Sequence, residues 1–478
     1  MCGILVYTHG FRDVASSLRP FIQRRGPDYY GVKNLDNLTA ESSVLSLRSP
    51  ITPQPMVSGN NILCYNGQLY NNSYMDTLKV METLSTTDDS SSRAKAEAIE
   101  NLFSFEGEFA FVYIENNIIY FARDQLGRRS LLYKQNEDGI IISSVGEPGF
   151  VECLAFGVFY TYDMSTNILE THSASKSVYP PVSTTLDLEP SSEPMYVDNV
   201  LNTLKEAVSR RLVLPAPNTD VAVLFSGGLD CTLLAALIDD LLPPTSRIYL
   251  LNVAFENRRT NTMYDTPDRI LARRSYEELM NRRMKLDGNS ESNQRFVLTE
   301  IDVPYEQACA AKDQVVQLMY PNASVMDLSI ALAFYFAAMP QDSSENPRII
   351  FSGLGADELY AGYSRHTSMR NSELAEELQL DFSRLPHRNL GRDDRVISDQ
   401  ARDVRYPFLD KDFVNLALET PLCLKSDGVD TKIALRKVAL LMNLPLVSTE
   451  KKRAIQFGAR SAKMDPGSGR LKGKDGLN

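Results

Sequence analysis

The first third of the chain is a series of short apolar runs separated by polar turn residues. Asn, Asp and Gly cluster between the runs, for example at 115–117 and 136–139, as they do between strands. Helical patterns are few, with Val14–Gln23 and Ser92–Leu102 the better candidates. The pattern predicts an α+β domain over residues 2–167, with strands at Gly3–Thr8, Ile62–Tyr65, Phe109–Ile114, Ile118–Ala122, Ser130–Tyr133 and Ile140–Ser143.

Residues 168–194 are rich in Ser, Thr and Pro, a composition that cannot build a core and that predicts a linker. Over residues 195–465 strands alternate with apolar helices, which is typical of an α/β domain with a doubly wound parallel sheet. Residues 466–478 predict a disordered tail. The strands expected here are Val221–Phe225, Arg247–Ala254 and Arg348–Phe351, and the helices Thr232–Leu242 and Asp327–Met339.

Composition narrows the functional classes. A chain of 478 residues with 43% hydrophobic residues fits two or three domains with sizeable cores. The net charge of −11 argues against nucleic-acid binding, which needs clustered positive charge.

The longest apolar run, Ile330–Met339, is about half of what a membrane span needs, and the N-terminus lacks a signal-peptide pattern. Six scattered cysteines without CxxC spacing predict neither a zinc site nor a disulfide framework, and we expect a cytoplasmic location.

A glycine loop follows the strand that ends at Phe225. Ser226, Gly227, Gly228 and Asp230 lie between this strand and a helix, where backbone N–H groups and the helix N-terminus favour an anion. The simpler alternative is a tight turn with Asp230 as an N-cap. The sequence favours a phosphate-binding loop without the Lys of a Walker A motif, in which Asp230 is a Mg²⁺ ligand.

A second loop of the same design follows the strand at 348–351. Ser352 and Gly353 could face a nucleotide, and Asp357 could be a second magnesium ligand. Lys432 opens a helical stretch and could neutralise pyrophosphate charge, although a lysine at a helix start is usually only solvated.

Cys2 is the candidate nucleophile in the first domain. Removal of Met1 would leave Cys2 with a free α-amino group, whose pKa near 8 suits a general base for the thiol. Asn66 and Gly67 could form an oxyanion hole, although Asn-Gly is also a common hairpin turn. Arg48 could pair with a substrate carboxylate, and the charged turn at 24–28 could hold the strand that carries Cys2.

These motifs together resemble a known family. The segments MCGI, RRGPD, YNGQLYN and RDQLGRRSLLY resemble class II glutamine amidotransferase domains. LFSGGLD, SGLGADELYAGY, RYPFLD and the Lys432–Arg436 stretch resemble the asparagine synthetase domain. RNLGRDDRVISD and KRAIQFGARSAKM resemble a diverged eukaryotic branch of that family, the asparagine synthetase domain-containing proteins.

The resemblance implies an Ntn-hydrolase-like αββα glutaminase domain followed by an α/β ATP-pyrophosphatase domain. It implies that Cys2 releases ammonia from glutamine, that ATP with Mg²⁺ activates aspartate as an acyl-AMP, and that ammonia then gives asparagine. The resemblance is also compatible with a homodimer. The implied catalytic residues are Cys2, Asn66, Gly67 and Lys432; the glutamine-binding residues Arg48, Asn66, Gly67, Gln68 and Asp89; the ATP-binding residues Leu224, Ser226, Gly227, Gly228, Asp230, Val253, Ser352 and Gly353; and the metal ligands Asp230 and Asp357.

The chain departs from the family pattern at three places, with a milder change at a fourth. Leu354 stands where synthetases carry the glutamate of SGEGADE, and Gln68 replaces the glutamate of NGE. The Asn-Asp-Thr segment that binds glutamine in the family is not matched, and its best candidate here is Asp88-Asp89-Ser90, with Asp89 as the ligand. The milder change is Asp403, which replaces a further glutamate. Leu354 cannot accept a proton, so two alternatives to asparagine synthesis stay open. One is an amide ligase for a different acid, and the other is a non-catalytic scaffold of the same fold.

Overall fold

The computed structural model describes residues 2–70, 75–85, 92–174, 179–213, 215–216, 219–256, 263–287, 295–340, 347–463 and 476. The strands are β1 (Gly3–Thr8), β2 (Tyr29–Asn34), β3 (Leu38–Val44), β4 (Met56–Ser58), β5 (Asn61–Leu69), β6 (Gly107–Glu115), β7 (Ile118–Arg123), β8 (Leu132–Asn136), β9 (Gly139–Ser143), β10 (Val151–Glu152), β11 (Val158–Asp163), β12 (Ile168–Ser173), β13 (Val221–Leu224), β14 (Ile248–Phe255), β15 (Phe296–Val303), β16 (Ile349–Phe351) and β17 (Asp403–Arg405).

The helices are α1 (Arg12–Arg25), α2 (Asp76–Ser85), α3 (Ser92–Ser104), α4 (Glu193–Arg211), α5 (Leu229–Leu241), α6 (Pro267–Asp287), α7 (Tyr305–Met319), α8 (Val325–Ala338), α9 (Ala356–Leu359), α10 (Asn371–Leu385), α11 (Gly391–Ser398), α12 (Lys411–Glu419), α13 (Ile433–Leu441), α14 (Pro445–Thr449) and α15 (Ile455–Gly458). Short 3₁₀ turns lie between several of them, and a π-helical turn at Pro386–Leu390 precedes α11.

The chain divides into two compact units. The first unit comprises Met1–Val178, Val316–Ala323 and Leu385–Asp403, and the second unit comprises Tyr179–Val315, Ser324–Arg384 and Val404–Asn478. Residues 316–323 and 385–403 therefore cluster with the N-terminal segment, although they lie inside the 195–465 segment that the sequence pattern assigned to the second domain. Residues 385–403 are held there by the buried ion pairs of Asp394 with Arg25 and of Arg395 with Glu152. Residues 316–323 carry no charged side chain and are held by hydrogen bonds, such as the 2.9 Å bond that the Tyr320 hydroxyl donates to the carbonyl oxygen of Phe150.

The first unit contains two six-stranded sheets. One has the strand order β10-β8-β9-β1-β3-β2 and the other β12-β11-β7-β6-β5-β4. A core of buried side chains from both sheets, including Ile4, Val6, Cys64 and Val112, joins them. Helix α1 packs on β1 and β3, and α2 packs on β5. The layers are therefore helix, sheet, sheet, helix.

Two details of this unit differ from the sequence expectation. Asn66 and Gly67 lie inside β5, paired with Ala110 and Phe109 of β6, so the hairpin-turn alternative for this dipeptide is wrong. Residues 168–173, assigned to the linker by composition, form β12 and pair with β11. Backbone pairing to a neighbouring strand gives such a polar segment regular structure without a hydrophobic face.

The second unit is built on a five-stranded sheet with the order β15-β14-β13-β16-β17. The pairs β13–β14, β13–β16 and β14–β15 are parallel. Because β13 and β16 are neighbours and run the same way, the loops that follow them emerge side by side at the carboxyl edge of the sheet. Both glycine loops predicted from the sequence are these two loops.

Within the described part of the chain, no helix is long and apolar enough to cross a membrane. All six cysteines are free thiols, as the spacing of the cysteines predicted.

Candidate active sites

Cys2 lies immediately before β1, and its side chain is 9% exposed. Its backbone N–H donates a 2.7 Å hydrogen bond to Oδ1 of Asn66, which is itself fully buried. Because the carbonyl oxygen of this amide accepts that bond, its Nδ2 is directed elsewhere, and Nδ2 has no hydrogen-bond partner among the described residues. A buried amide donor beside a thiol has the arrangement that an oxyanion hole requires.

Gly67 completes this side of the site. Its φ is +156°, and a Cβ built on it would lie 2.2 Å from the carbonyl oxygen of Glu108 and 2.6 Å from the Cα of Phe109. Only a glycine lets β5 approach β6 this closely while it keeps Asn66 beside Cys2. The strand register thus explains why Asn and Gly occur together here.

Gln54 and Arg25 also act on the Cys2 thiol. Gln54 Nε2 lies 3.8 Å from the Cys2 Sγ, and Gln54 Oε1 accepts a 2.7 Å bond from the Tyr65 N–H. Burial raises the pKa of the Cys2 thiol, and the guanidinium of Arg25 acts in the opposite direction. Sequence reasoning missed Gln54, whose only local signal is its position between two prolines.

The Arg24–Asp28 turn holds the Cys2 segment, as its charge pattern suggested. Arg25 is fully buried, and its Nε donates a 3.1 Å bond to the carbonyl oxygen of Cys2. Asp28 accepts a 2.7 Å bond from the backbone N–H of Ser46. The end of α1 and the start of β1 are therefore tied together.

Arg48 lies near the same site but already has an acidic neighbour. Its Nη1 is 2.9 Å from Oδ1 of Asp76, the first residue of α2, and its Nη2 donates to the carbonyl oxygen of Leu69. Asp76 is 6% exposed. The resemblance implies Asp89 as the acidic glutamine ligand, and Asp89 lies outside the described residues. The missed signal is the Asp76-Thr77 dipeptide.

In the second unit, the two glycine loops are in van der Waals range of each other. A Cβ built on Gly353 would lie 3.1 Å from Cβ of Asp230. Gly227 has φ +79° and lies against the backbone of Ala272, which again requires glycine. Ser226 Oγ accepts from the N–H of Gly228 at 3.4 Å. Asp230 lies in the first turn of α5 with Gly228 as the N-cap, so the simple N-cap alternative for Asp230 is wrong.

A buried lysine joins the two loops. Lys432 Nζ lies 2.6 Å from Oδ2 of Asp230 and 2.6 Å from Oδ1 of Asp357. Its backbone is in the left-handed region at φ +57°, it caps α13, and it is 3% exposed. The solvated-lysine alternative is therefore wrong, because this ammonium is held between two carboxylates.

Lys452 is a second cation beside Asp357, and the sequence did not predict its role. Its Nζ donates to Oδ2 of Asp357. Burial alone would raise the pKa of Asp357, but the ammonium groups of Lys432 and Lys452 hold it below its usual range. Burial raises the pKa of Asp230, against the opposing effect of Lys432. Two cations and two carboxylates thus balance at the carboxyl edge of the sheet, where Lys432 is buried, both carboxylates are half-buried and Lys452 is exposed.

The remaining predicted residues lie at the ends of the same strands. Leu224 ends β13, and Val253 lies near the end of β14. Ser352 is buried, and its Oγ accepts from the N–H of Leu354 at 3.3 Å. Leu354 is half-buried, so an aliphatic side chain occupies the position where the family pattern has a carboxylate.

Asp230 retains the capacity to bind a cation. Its Oδ1 is buried and has no hydrogen-bond partner among the described residues. An unsatisfied carboxylate oxygen fits a hard cation such as Mg²⁺, which prefers oxygen ligands. The residues present therefore fit the metal that the family implies.

Comparisons with known proteins match a different family model to each part of the chain. Residues 1–190 match the glutamine amidotransferase domain, and residues 199–378 and 367–468 match asparagine synthase. The chain is 37% identical to the asparagine synthetase domain-containing protein YML096W of Saccharomyces cerevisiae, over 94% of this chain and 89% of that protein. It is 27% identical to asparagine synthetase domain-containing protein 1 of Gallus gallus, over 97% of this chain and 98% of that protein.

A probable glutamine-hydrolysing asparagine synthetase of Acanthamoeba polyphaga mimivirus is 27% identical, over 91% of this chain and 81% of that protein. The matches cover both halves of the chain in one order, with the amidotransferase half first. The chain therefore belongs to the asparagine synthetase family, as a protein with an N-terminal glutamine amidotransferase domain and an asparagine synthase domain.

Proposed function

We propose that this protein is a glutamine-dependent amide ligase of the asparagine synthetase type. It hydrolyses glutamine at Cys2, activates the side-chain carboxylate of aspartate with ATP, and forms asparagine, AMP and pyrophosphate. The observation that carries the proposal is the contact of the buried Lys432 with both Asp230 and Asp357. Residues from three distant parts of the sequence meet there with the charges that a Mg²⁺–pyrophosphate site needs.

In the glutamine half-reaction, the Cys2 thiolate attacks the side-chain amide carbon of glutamine. Nδ2 of Asn66 and the N–H of Gly67 stabilise the oxyanion, ammonia leaves, and water releases glutamate from the thioester. After removal of Met1, the α-amine of Cys2 takes the thiol proton. Burial disfavours the thiolate at rest, so this proton transfer is needed.

The α-carboxylate and the α-ammonium group of glutamine each require a protein side chain of opposite charge. We propose that Arg48 binds the α-carboxylate and that Asp76, 2.9 Å from Arg48, binds the α-ammonium group. Substrate would replace part of the contact between these two side chains. Gln68, whose Oε1 has no partner among the described residues, supplies a neutral hydrogen-bond acceptor in the same pocket.

In the ATP half-reaction, the loops at 226–230 and 352–357 bind the phosphates through their N–H groups and hydroxyls. Asp230 and Asp357 would hold Mg²⁺, which neutralises phosphate charge when bound. Lys432 and Lys452 place two further positive charges beside the leaving pyrophosphate. Leu224 and Val253 are proposed to contact the adenine.

The decisive experiment uses purified protein with ATP, Mg²⁺, aspartate and glutamine, and quantifies glutamate, AMP, pyrophosphate and asparagine together. We expect all four products in the wild-type protein, no glutamate in Cys2→Ala, and no AMP in Asp230→Asn. Asp240→Asn is the matched control, because Asp240 lies on the same helix but pairs with Arg282. Release of no pyrophosphate above background with aspartate would refute asparagine synthesis.

Leu354 favours a second candidate, an amide ligase for a different acid. An aliphatic side chain at this position removes a carboxylate that a synthetase would present to ammonia or to a cationic group. A screen of carboxylic acids for ATP–pyrophosphate exchange separates the two candidates. Exchange with another acid but not with aspartate selects the second, whereas silence with every acid leaves the non-catalytic scaffold.

A further inference from the structure

One charged motif has no role in the two half-reactions. The segment Gly391–Arg395, here called the GRDDR segment, forms the first turns of α11 and is buried throughout. It lies far along the sequence from Cys2 but belongs to the same compact unit. Charged residues are almost never fully buried unless they are paired, so the partners of this segment decide what it does.

Asp394 has three such partners. Its Oδ2 accepts a 2.8 Å bond from Nη2 of Arg25 and a 3.1 Å bond from the backbone N–H of Ser130. Its Oδ1 lies 3.5 Å from Nη1 of Arg129. Asp394, Arg25 and Arg129 are each fully buried.

Arg25 connects Asp394 to Cys2 through hydrogen bonds. Its Nη2 bonds Asp394, while its Nε donates to the carbonyl oxygen of Cys2 at 3.1 Å. The guanidinium is rigid and planar, so a carboxylate that fixes one end also fixes the other. The backbone of Cys2 is then held from the carbonyl side by Arg25 and from the N–H side by Asn66.

We propose that Asp394 is a positioning residue for Cys2, acting through Arg25. The proposal rests on the proposed glutamine hydrolysis and adds a residue that lies outside the 1–190 amidotransferase match. Without the Asp394 charge, the buried guanidinium loses its counter-ion and its fixed position. Cys2 then moves relative to Asn66 Nδ2, and small displacements of reacting groups cost large factors in rate.

The test is glutamine hydrolysis by full-length Asp394→Asn, an isosteric change that removes the charge. We expect kcat to fall ~10- to 100-fold while KM for glutamine stays within about twofold. We expect KM to be preserved because Arg48 and Asp76, the proposed ligands of the substrate backbone, hold each other, and Arg48 also bonds the carbonyl oxygen of Leu69. A general loss of folding would change both parameters and the thermal unfolding curve.

The matched control is Asp399→Asn. Asp399 pairs with Arg24 at 2.8 Å, one residue before Arg25, and the Arg24 guanidinium lies over the Phe21 ring. This variant removes an ion pair between the end of α1 and the C-cap of α11, and we expect its kcat to stay within about twofold of wild type. An equal loss of kcat in Asp394→Asn and Asp399→Asn would overturn the proposal.

A double-mutant cycle tests the path through Arg25. If Asp394 acts through it, Arg25→Lys and the Arg25→Lys/Asp394→Asn double variant have the same kcat. Additive losses would overturn the proposal. If Asp394→Asn does not fold, Arg25→Lys alone tests the path.

If wild-type protein releases no glutamate, the proposed function has failed, and the rate of Cys2 alkylation by iodoacetamide becomes the readout. Alkylation slower than wild type in Asp394→Asn but not in Asp399→Asn still supports positioning, and equal rates refute it.

Discussion

A single methyl group at position 67 would disrupt the glutamine site, because its carbon would lie 2.2 Å from the carbonyl oxygen of Glu108. Gly67→Ala would push β5 away from β6 and displace Asn66 from Cys2. We expect glutamine hydrolysis to fall at least ~100-fold, which is the usual loss when an oxyanion donor is removed. The measurement is glutamate release at saturating glutamine.

Gly59→Ala is the matched control in the neighbouring turn. Gly59 also has positive φ, at +60°, but a Cβ there meets nothing within 4 Å. Its cost is left-handed strain of ~1 kcal/mol, with activity retained. Unchanged hydrolysis by Gly67→Ala would contradict the proposed role of the close β5–β6 approach.

Another single residue, Lys425, predicts how the stability of the protein depends on pH. It is fully buried, its Nζ has no partner among the described residues, and burial lowers its pKa from 10.5 to about 7. Between pH 7 and 10.5 the unfolded chain therefore binds more protons than the folded one, and stability rises with pH. Folding at pH 7 costs on the order of 4 kcal/mol at this residue relative to pH 10.5.

Lys425→Met should remove this cost. We expect the variant to melt several degrees higher than wild type at pH 7, with the difference shrinking towards pH 10. Thermal unfolding at both pH values measures it. A difference that grows with pH would show that Lys425 is charged and paired in the folded protein.

At the scale of elements, the sequence predicted strands where apolar runs are continuous and missed those whose burial depends on distant partners. Predicted and observed bounds coincide for β1 and agree closely for β7, β9 and β13. β3 was missed, although all seven of its residues are buried, because most are polar. Its Glu41 is tolerated inside because Arg19 and Tyr7 donate to it at 2.7 and 2.9 Å and the Tyr30 hydroxyl donates to its other oxygen. No local pattern carries such information.

The same limit applies to the site. Glycine loops and Asn-Gly are local signals, and the sequence located them. Lys452 carries no distinctive local signal, and the short signals around Gln54 and Asp76 do not identify these two residues. Their roles emerge only when the fold brings them beside Asp357, Cys2 and Arg48.

The end of α5 illustrates an element held by one side chain. Arg295, just before β15, bonds Asp239 at 2.8 Å and donates to the carbonyl oxygens of Asp239, Leu242, Pro243 and Ser246. These carbonyls lie at and beyond the helix end, where they lack intrahelical partners. Arg295 thus fixes α5, and with it the phosphate loop at the other end of the helix.

Arg295→Lys keeps the charge but not the planar set of donors. We expect a loss of ~2–4 kcal/mol in stability, because several buried carbonyls lose their donor. Thermal unfolding of the second unit reports it, and Arg273→Lys, at an exposed pair with Glu300, should change stability by less than ~1 kcal/mol. Equal effects of the two variants would contradict the role assigned to Arg295.

At the scale of the whole molecule, the sequence predicted two chemistries in one order but not how the chain is divided between them. Residues 385–403 cluster with the first unit because Asp394 and Arg395 form ion pairs there, and residues 316–323 because Tyr320 and the carbonyl oxygen of Leu318 form hydrogen bonds there. Such contacts have no local signature. Each reaction centre nevertheless lies within one unit. Cys2 and Asn66 belong to the first, and Asp230, Asp357 and Lys432 belong to the second.

This division predicts separable activities. Cys2→Ala should abolish glutamate release but retain pyrophosphate release and amide formation when ammonium chloride replaces glutamine, because Lys432 and its two carboxylates are untouched. Asp230→Asn should do the reverse, releasing glutamate from glutamine while pyrophosphate release falls at least ~100-fold, since a carboxylate beside the phosphate site is lost. Parallel assays of both variants with glutamine and with ammonium measure this directly. Loss of ammonium-driven pyrophosphate release in Cys2→Ala would mean that the ATP site requires Cys2, and the assignment of one chemistry to each unit would then be wrong.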